Sequence, residues 1–296
     1  MWINNLKEIF SSAYDDVMKL YTTSSFIYNK KWNELYIGAM SDGFKKQRSK
    51  KFKEAIDSYR EALYFVKLLA QDSPDYRAPH PKVSFITPAV MEAGAHVSLA
   101  RCFTVQKEYK KAVEHYKSAI ASDPYYLDSY YELALLLRKE FKQYRSANDY
   151  LRKLLDLYKN KQFLEERMPF LNQDELLLNR LNVYVERALN FALTGQDNDA
   201  RTYLNVVLAS VNEYSSFLPN EFSEKLFNSL EYVEALVKES DIVERMTLYN
   251  KSVSKASELG TEALSLKPFL PNNNNTFFIV PPPLNVTNAT MPSLVA

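Results

Sequence analysis

The chain has 296 residues, with 46% hydrophobic, 25% charged and a formal net charge of +1. That composition supports a sizeable core, and the near-zero charge excludes a molecule-wide field for nucleic acid or membrane surfaces. One cysteine, Cys102, excludes an internal disulfide framework and a Cys-rich zinc site, and the three histidines, His80, His96 and His115, show no metal-ligand spacing.

Aromatic residues are abundant, with 21 Tyr and 17 Phe against five Gly, which favours helices over a turn-rich β fold. Thirteen prolines punctuate the chain: none before Pro74, four between Pro74 and Pro88, single ones at Pro124, Pro169 and Pro219, and the rest from Pro268. Helices are expected in the stretches between them. The apolar residues recur with a period near 3.6 and nowhere alternate, so the fold class is all-α.

In chain order, Trp2, Leu6, Ile9, Phe10, Tyr14, Val17, Met18 and Tyr21 place an amphipathic helix over 2–21, in an N-terminal segment taken as 1–28. A second helix covers 29–44, with Trp32, Leu35, Tyr36, Ala39, Met40 and Gly43 on its packing side, and a third covers 50–71. Residues 72–87 read as a Pro-rich loop, longer than most connections between helices. Thr87 before Pro88 is an N-cap and first-turn pair. Helices follow at 88–105, 108–121, 126–140 and 143–158, with a short one over 160–170. Asn172 is expected to cap a helix running to Thr194, Gly195 to turn the chain, and 197–213, 220–239 and 241–266 to complete the series.

Within these helices a pattern of small and bulky residues recurs. Phe52, Ala55, Tyr59 and Ala62 place an aromatic, an alanine three later, an aromatic four later and an alanine three later. Tyr109, Ala112, Tyr116 and Ala119 repeat it, ahead of Asp123-Pro124, and the preceding helix contributes His96, Leu99, Ala100 and Phe103. A third unit has Tyr130, Leu133, Ala134, Leu137, Tyr144, Ala147, Leu151 and Leu154; a fourth has Tyr184, Ala188, Phe191, Ala200, Leu204 and Val207; a fifth retains Ala256, Ala263 and Pro268. Small residues let two helix axes approach, and the bulky ones fill the groove beside them. The pattern resembles the tetratricopeptide repeat family, with residues 93–126 as the best match. The second-helix alanines at 55, 112, 147, 200 and 256 are 57, 35, 53 and 56 residues apart. Only one interval is near the repeat of about 34 residues, so an irregular antiparallel helix-pair solenoid of about 10–12 helices is expected over 29–267.

The resemblance implies a protein-binding scaffold in which the first helices of successive pairs line a concave groove. Groove positions by that resemblance are Val97, Arg101 and Thr104, then Tyr131, Leu135 and Arg138, then Val185, Leu189 and Ala192. Partner contact and inter-repeat core are both open readings for them. Family members that grip a chaperone's C-terminal carboxylate use Lys and Asn at fixed positions. Those positions hold Val97 and Arg101, Met40 and Phe44, or Tyr131 and Leu135 here, so that clamp is not expected.

Two further stretches carry partner readings. Lys45, Lys46, Arg48, Lys50, Lys51 and Lys53 put six basic residues into nine. They read either as a solvated connection between two helices or as phosphate contacts in a nucleic-acid-associated factor. The segment 268–296 has no charged residue, an Asn272–Asn275 run and the Pro281–Pro283 triplet, and it reads as an extended tail. Its apolar run Phe277, Phe278, Ile279 and Val280 would aggregate if left in water, so contact with this chain's groove or with a partner is expected, a low-complexity tail being the other reading.

No phosphate loop, nucleophile elbow or His-Glu metal motif occurs, so neither catalysis nor a cofactor is expected. No apolar run approaches the roughly 18 residues of a membrane span. The first residues lack a basic region followed by an apolar core, so a cytoplasmic or nuclear site rather than secretion is expected. The sequence-based expectation is therefore a non-catalytic scaffold, a subunit or assembly factor whose partners are other proteins in a multi-subunit complex.

Overall fold

The structure is a computed structural model that describes residues 31–78, 85–168, 173–214 and 220–258. The amphipathic segment 2–21 and the uncharged tail, with Phe277, Phe278, Ile279 and Val280, lie outside the described residues, as do His80, Asn172, Ala263 and Pro268. Among the described residues eleven helices form, and the one β element is an isolated bridge between Ala78 and Ile86. The fold class is all-α, an antiparallel helix-pair solenoid.

The internal contacts define two units, divided between Tyr76 and Arg77. That division falls inside the Pro-rich connection over 72–87. The first unit holds α1, over residues 31–48, and α2, Phe52–Asp72. Their axes come close at Gly43, because a Cβ there would lie 2.5 Å from the Tyr59 ring. Tyr59 is fully buried and donates its hydroxyl to Gln47 at 2.7 Å. Ala55 and Ala62 are fully buried beside it, as the pattern of small and bulky residues requires.

The second unit stacks α3 (Pro88–Val105) on α4 (Tyr109–Ser122), then α5 (Leu127–Phe141) on α6 (Tyr144–Lys159). A short α7 (Lys161–Arg167) precedes α8 (Gln173–Leu193) and α9 (Asp197–Tyr214), and α10 (Asn220–Lys238) and α11 (Ile242–Glu258) close the series. Thr87 caps α3 as expected, its hydroxyl accepting from the Val90 N–H, with Pro88 in the first turn. Ala112 and Ala119, Ala147, Ala188 and Ala200 are essentially without exposure, and Tyr116, Leu151, Leu154, Leu204 and Val207 pack around them.

The turn inside each pair repeats in detail. Lys50, Lys107, Lys142 and Gly195 have left-handed φ values of 61°, 61°, 55° and 71°. Each lies two residues before the second helix of its pair. The next N–H reaches back to the end of the first helix: Lys51 to Lys46, Glu108 to Phe103, Gln143 to Leu137, and Gln196 to Phe191. These bonds satisfy carbonyls that a helix end leaves open, as in a Schellman-type stop. The carbonyls of Lys51, Glu108, Gln143 and Gln196 then accept from Ala55, Ala112, Ala147 and Ala200. The alanine series is thus set in register by the turn, although its spacing along the chain is uneven.

The fifth pair departs from the expectation. Its equivalent carbonyl, Asp241, accepts from Arg245, so an arginine stands in the alanine register and Ala256 does not. The Arg245 guanidinium is buried and donates to the carbonyls of Ala192, Val237 and Glu239 and to both Asp197 oxygens. It thereby fastens α11 to the carbonyl ends of α8 and α10.

Candidate functional site

The expected groove positions lie on α3, α5 and α8, all in the second unit. Val97, Tyr131, Arg138, Val185, Leu189 and Ala192 are buried. Their side chains lie in the inter-helix core. The physical reason is plain at α8, where Val185, Leu189 and Ala192 join one apolar cluster with Leu226, Leu230, Val233 and Leu236 of α10 and Tyr249 of α11. Arg101, Thr104 and Leu135 are the groove positions that keep solvent-exposed surface. Val105, one residue past Thr104, is exposed.

Arg101 does not stand free. Its guanidinium meets Glu132 with two groups and Asp128 at 3.1 Å, both on α5, and the Tyr116 hydroxyl of α4 donates to Glu132 at 2.7 Å. The side chain is 14% exposed. The network joins three helices of two successive pairs and fixes the spacing of α3 from α5 at the face where Thr104 and Leu135 reach the surface. Thr104 itself is half-buried and donates to the Ala100 carbonyl at 2.8 Å.

Arg138 is the second expected cationic point, and its exposure is only 1%. It pairs with Glu186 of α8, and the Tyr131 hydroxyl donates to the same carboxylate at 3.3 Å. Four residues along α8, Asn190 donates to Asn148 of α6 at 3.1 Å. Asn148, Glu186 and Asn190 are all buried, and together they form a polar seam where α8 meets α5 and α6. Sequence reasoning missed these three. Glu186 stands at helical spacing from Asn182 and Asn190, which are also buried, and that polar stripe along a largely apolar helix is the sequence signal for the seam.

The basic stretch runs across the connection from α1 to α2 and is largely exposed, at Lys45, Arg48, Lys50, Lys51 and Lys53. Lys45, Lys46 and Arg48 belong to the last turns of α1, Lys50 and Lys51 make the turn, and Lys53 opens α2. Lys46 bonds to Asp42 at 2.6 Å and to Ser58 at 3.0 Å, and the Ser58 hydroxyl donates to Asp42. Lys51 faces Glu54 at 3.9 Å. Part of the positive charge is therefore balanced within the first unit.

Two histidines that the sequence holds 19 residues apart come together: His96 Nδ1 and His115 Nδ1 are 3.0 Å apart between α3 and α4, and Phe103 stacks on His115. No group of three or more potential metal ligands forms among the described residues. Cys102 is buried in α3, and burial pushes its thiol up to about 12, which keeps it an unreactive core residue at neutral pH. Among the described residues no helix is long and apolar enough to cross a membrane.

Residues 128–161, which span α5 and α6, match the family model described as "Tetratricopeptide repeat". The matched unit follows the one expected to fit best, 93–126. No curated protein matches the chain. Solved structures that it resembles include the MamA protein, at 17% identity over 63% of this chain and 97% of that one, with a TM-score of 0.36. Another is a Podosopora anserina protein described as a kinesin light chain with nearly identical TPR-like repeats, at 16% identity over 78% of this chain and 98% of that one, with a TM-score of 0.46. The helix pair α5–α6 thus matches the tetratricopeptide repeat, and the pairs that begin with α1, α3 and α8 share its turn and alanine register within an antiparallel helix-pair solenoid.

Proposed function

We propose that the protein is a non-catalytic subunit or assembly factor of a larger complex, which holds a partner protein on the α3–α5 face and through the uncharged segment 268–296. Tetratricopeptide repeats are in general protein-interaction scaffolds, and the repeat matched at 128–161 supports that role. The observation that carries the finer reading is the contrast along the expected groove. At α8 it is filled by α10 and α11, whereas at α3 and α5 Thr104, Val105 and Leu135 keep exposed apolar surface on a rigid, ion-paired support. Preorganised support lowers the ordering cost of binding. The segment 268–296 adds an uncharged, apolar contact of the kind that an obligate interface buries.

Affinity capture of the full chain from its native source, beside Leu135→Asp and a chain ending at residue 267, tests this. Partners recovered in stoichiometric amount with the full chain, and lost or reduced in both variants, support the proposal. Equal recovery in all three, or no stoichiometric partner at all, refutes it. Salt-sensitive recovery of RNA or DNA in place of protein would favour the basic stretch 45–53 instead.

A further inference from the structure

Along α8, Arg180, Tyr184, Arg187 and Phe191 recur at three- and four-residue spacing, so they share one stripe of the helix. All four are half-buried, as is Tyr203 of α9. The Tyr203 ring stacks on Phe191 at 5.6 Å between centroids and lies tilted beside Tyr184 at 5.8 Å. The Arg187 guanidinium sits over the same Tyr203 ring at 4.6 Å and over Phe191 at 5.6 Å. A basic and aromatic strip therefore runs along the edge where α8 meets α9.

The strip lacks a counter-charge. Arg101, Arg138, Arg167 and Arg245 each meet a carboxylate. Among the described residues Arg180 and Arg187 form no ion pair, and the Nε of each is buried without a hydrogen-bond partner. Burial holds the Arg187 guanidinium below its ordinary value, and Arg152 of α6 adds repulsion that the Tyr203 ring and Asp156 do not offset. An arginine nevertheless stays charged at neutral pH. A cation that has lost water without gaining a carboxylate is one that an anion can complete.

We propose that this strip docks an acidic segment of a partner protein, two of whose carboxylates pair with Arg180 and Arg187 while its neighbouring side chains lie on the Tyr184, Phe191 and Tyr203 rings. The two arginines are two helical turns apart, about 10 Å along the axis. Acidic residues three apart in an extended segment span about 10 Å as well. Each guanidinium is a planar donor that suits a carboxylate and stacks on rings at the same time. Asp156 acts on Arg187 and Asp149 pairs with Arg152 at 3.6 Å, so a continuous polyanion is repelled where single carboxylates are not. The segment 268–296 of this chain has no charged residue and supplies no counter-ion. The strip shares no residue with the α3–α5 face and is a second docking surface.

Fluorescence polarisation of labelled peptides titrated with the full chain tests this. The probe is a repeating Glu-Pro-Pro peptide, whose polyproline II path sets glutamates on one side about 9 Å apart. A repeating Gln-Pro-Pro peptide and a single-stranded oligothymidylate are the comparisons. The proposal expects the glutamate peptide to bind most tightly, and Arg180→Gln with Arg187→Gln to weaken it by about tenfold or more. Those two changes remove cations without a counter-charge, so thermal melts should stay at the parent value or rise. Arg187→Lys keeps the charge, loses the stacked planar donor and should weaken binding less. Lys50→Gln with Lys51→Gln, in the exposed basic stretch, should leave the affinity unchanged, as should Leu135→Asp. Equal binding of the glutamate and glutamine peptides overturns the proposal, as does an affinity unmoved by the α8 changes. An equal loss in the basic-stretch variant overturns it by marking diffuse attraction, and tighter binding of oligothymidylate overturns it by marking a nucleic-acid surface.

Discussion

Lys107 shows how a single residue can serve the turn while working against its own backbone. It is exposed, with φ at 61°, where an L-residue costs about 1–2 kcal/mol and glycine costs almost nothing sterically. The Glu108-to-Phe103 bond and the pairing of α3 with α4 over-determine that conformation. Lys107→Gly should therefore stabilise the chain by about 0.5 kcal/mol, after subtracting glycine's extra freedom when unfolded. Lys107→Val should destabilise it by more than that, because a branched side chain tolerates positive φ poorly. Urea unfolding at unchanged slope measures both, and equal midpoints would show that the turn relaxes at no cost. Gly43 gives the opposite sign. Its missing Cβ makes room for the Tyr59 ring, so Gly43→Ala should cost about 1–3 kcal/mol despite alanine's better helix propensity. These residues also mark what is legible without a structure. The alanine and aromatic spacing reads directly as packing, and Gly43 falls on the expected packing side. The left-handed lysines do not read as turns, since nothing in a lysine announces positive φ.

At the scale of the element, α11 is the helix whose attachment differs from the others. Where α2, α4, α6 and α9 place an alanine against the first helix of their pair, α11 places Arg245, which donates to carbonyls at the ends of α8 and α10 and to Asp197. A cation at a helix C-terminus satisfies open carbonyls and opposes the macrodipole. Arg245→Met should cost about 2 kcal/mol, below the usual value for breaking a buried pair because Asp197 is a third exposed and partly screened. The Arg245 hydrogen bonds hold the Asp197 carboxyl below its ordinary value of 3.8. A carboxyl lowered in the folded state stabilises above its ordinary pKa and loses that contribution as pH falls through the lowered one. The difference between the parent and Arg245→Met should thus be constant from neutral pH down to about pH 5 and shrink below pH 4. Thermal melts across that range check it, and a difference that persists at pH 2.5 would assign the effect to the carbonyls alone. Asp123 runs the other way. Burial raises its pKa more than the Arg167 contact lowers it, so Asp123→Asn should be neutral or slightly stabilising at pH 7. Neither effect is legible in the sequence, because the alanine register reaches Arg245 only once the position of the fifth turn is known.

Across the second unit, a plain stack would make stability a sum of nearest-neighbour contacts. This unit also closes on itself over a long sequence distance. Lys142, in the turn between α5 and α6, donates to Asn250 of α11 at 3.1 Å and lies over the Tyr249 ring at 5.5 Å, while Tyr144 at the start of α6 donates to the Met246 sulfur at 3.2 Å. Tyr249 is buried in the same cluster as α8 and α10. The fold class and pairing order could be read from helical periodicity and proline positions, since both are local properties of the chain. The closure could not, because it depends on how the short α7 and the irregular repeat spacing re-aim the later helices. The same closure explains why groove positions carried over by resemblance, such as Val185 and Leu189, are core. The resemblance assumes an open array, and α10 and α11 occupy that space here. Tyr249→Ala in the full chain separates the two descriptions. A nearest-neighbour stack predicts faster amide exchange in α8, α10 and α11 only, whereas closure predicts that residues 138–147 lose protection as well, by about tenfold if 1.4 kcal/mol of local stability is removed. Hydrogen exchange read by mass spectrometry resolves these segments. Unchanged protection at 138–147 would show that α11 rests on its neighbours alone and that the α5–α6 turn holds without it.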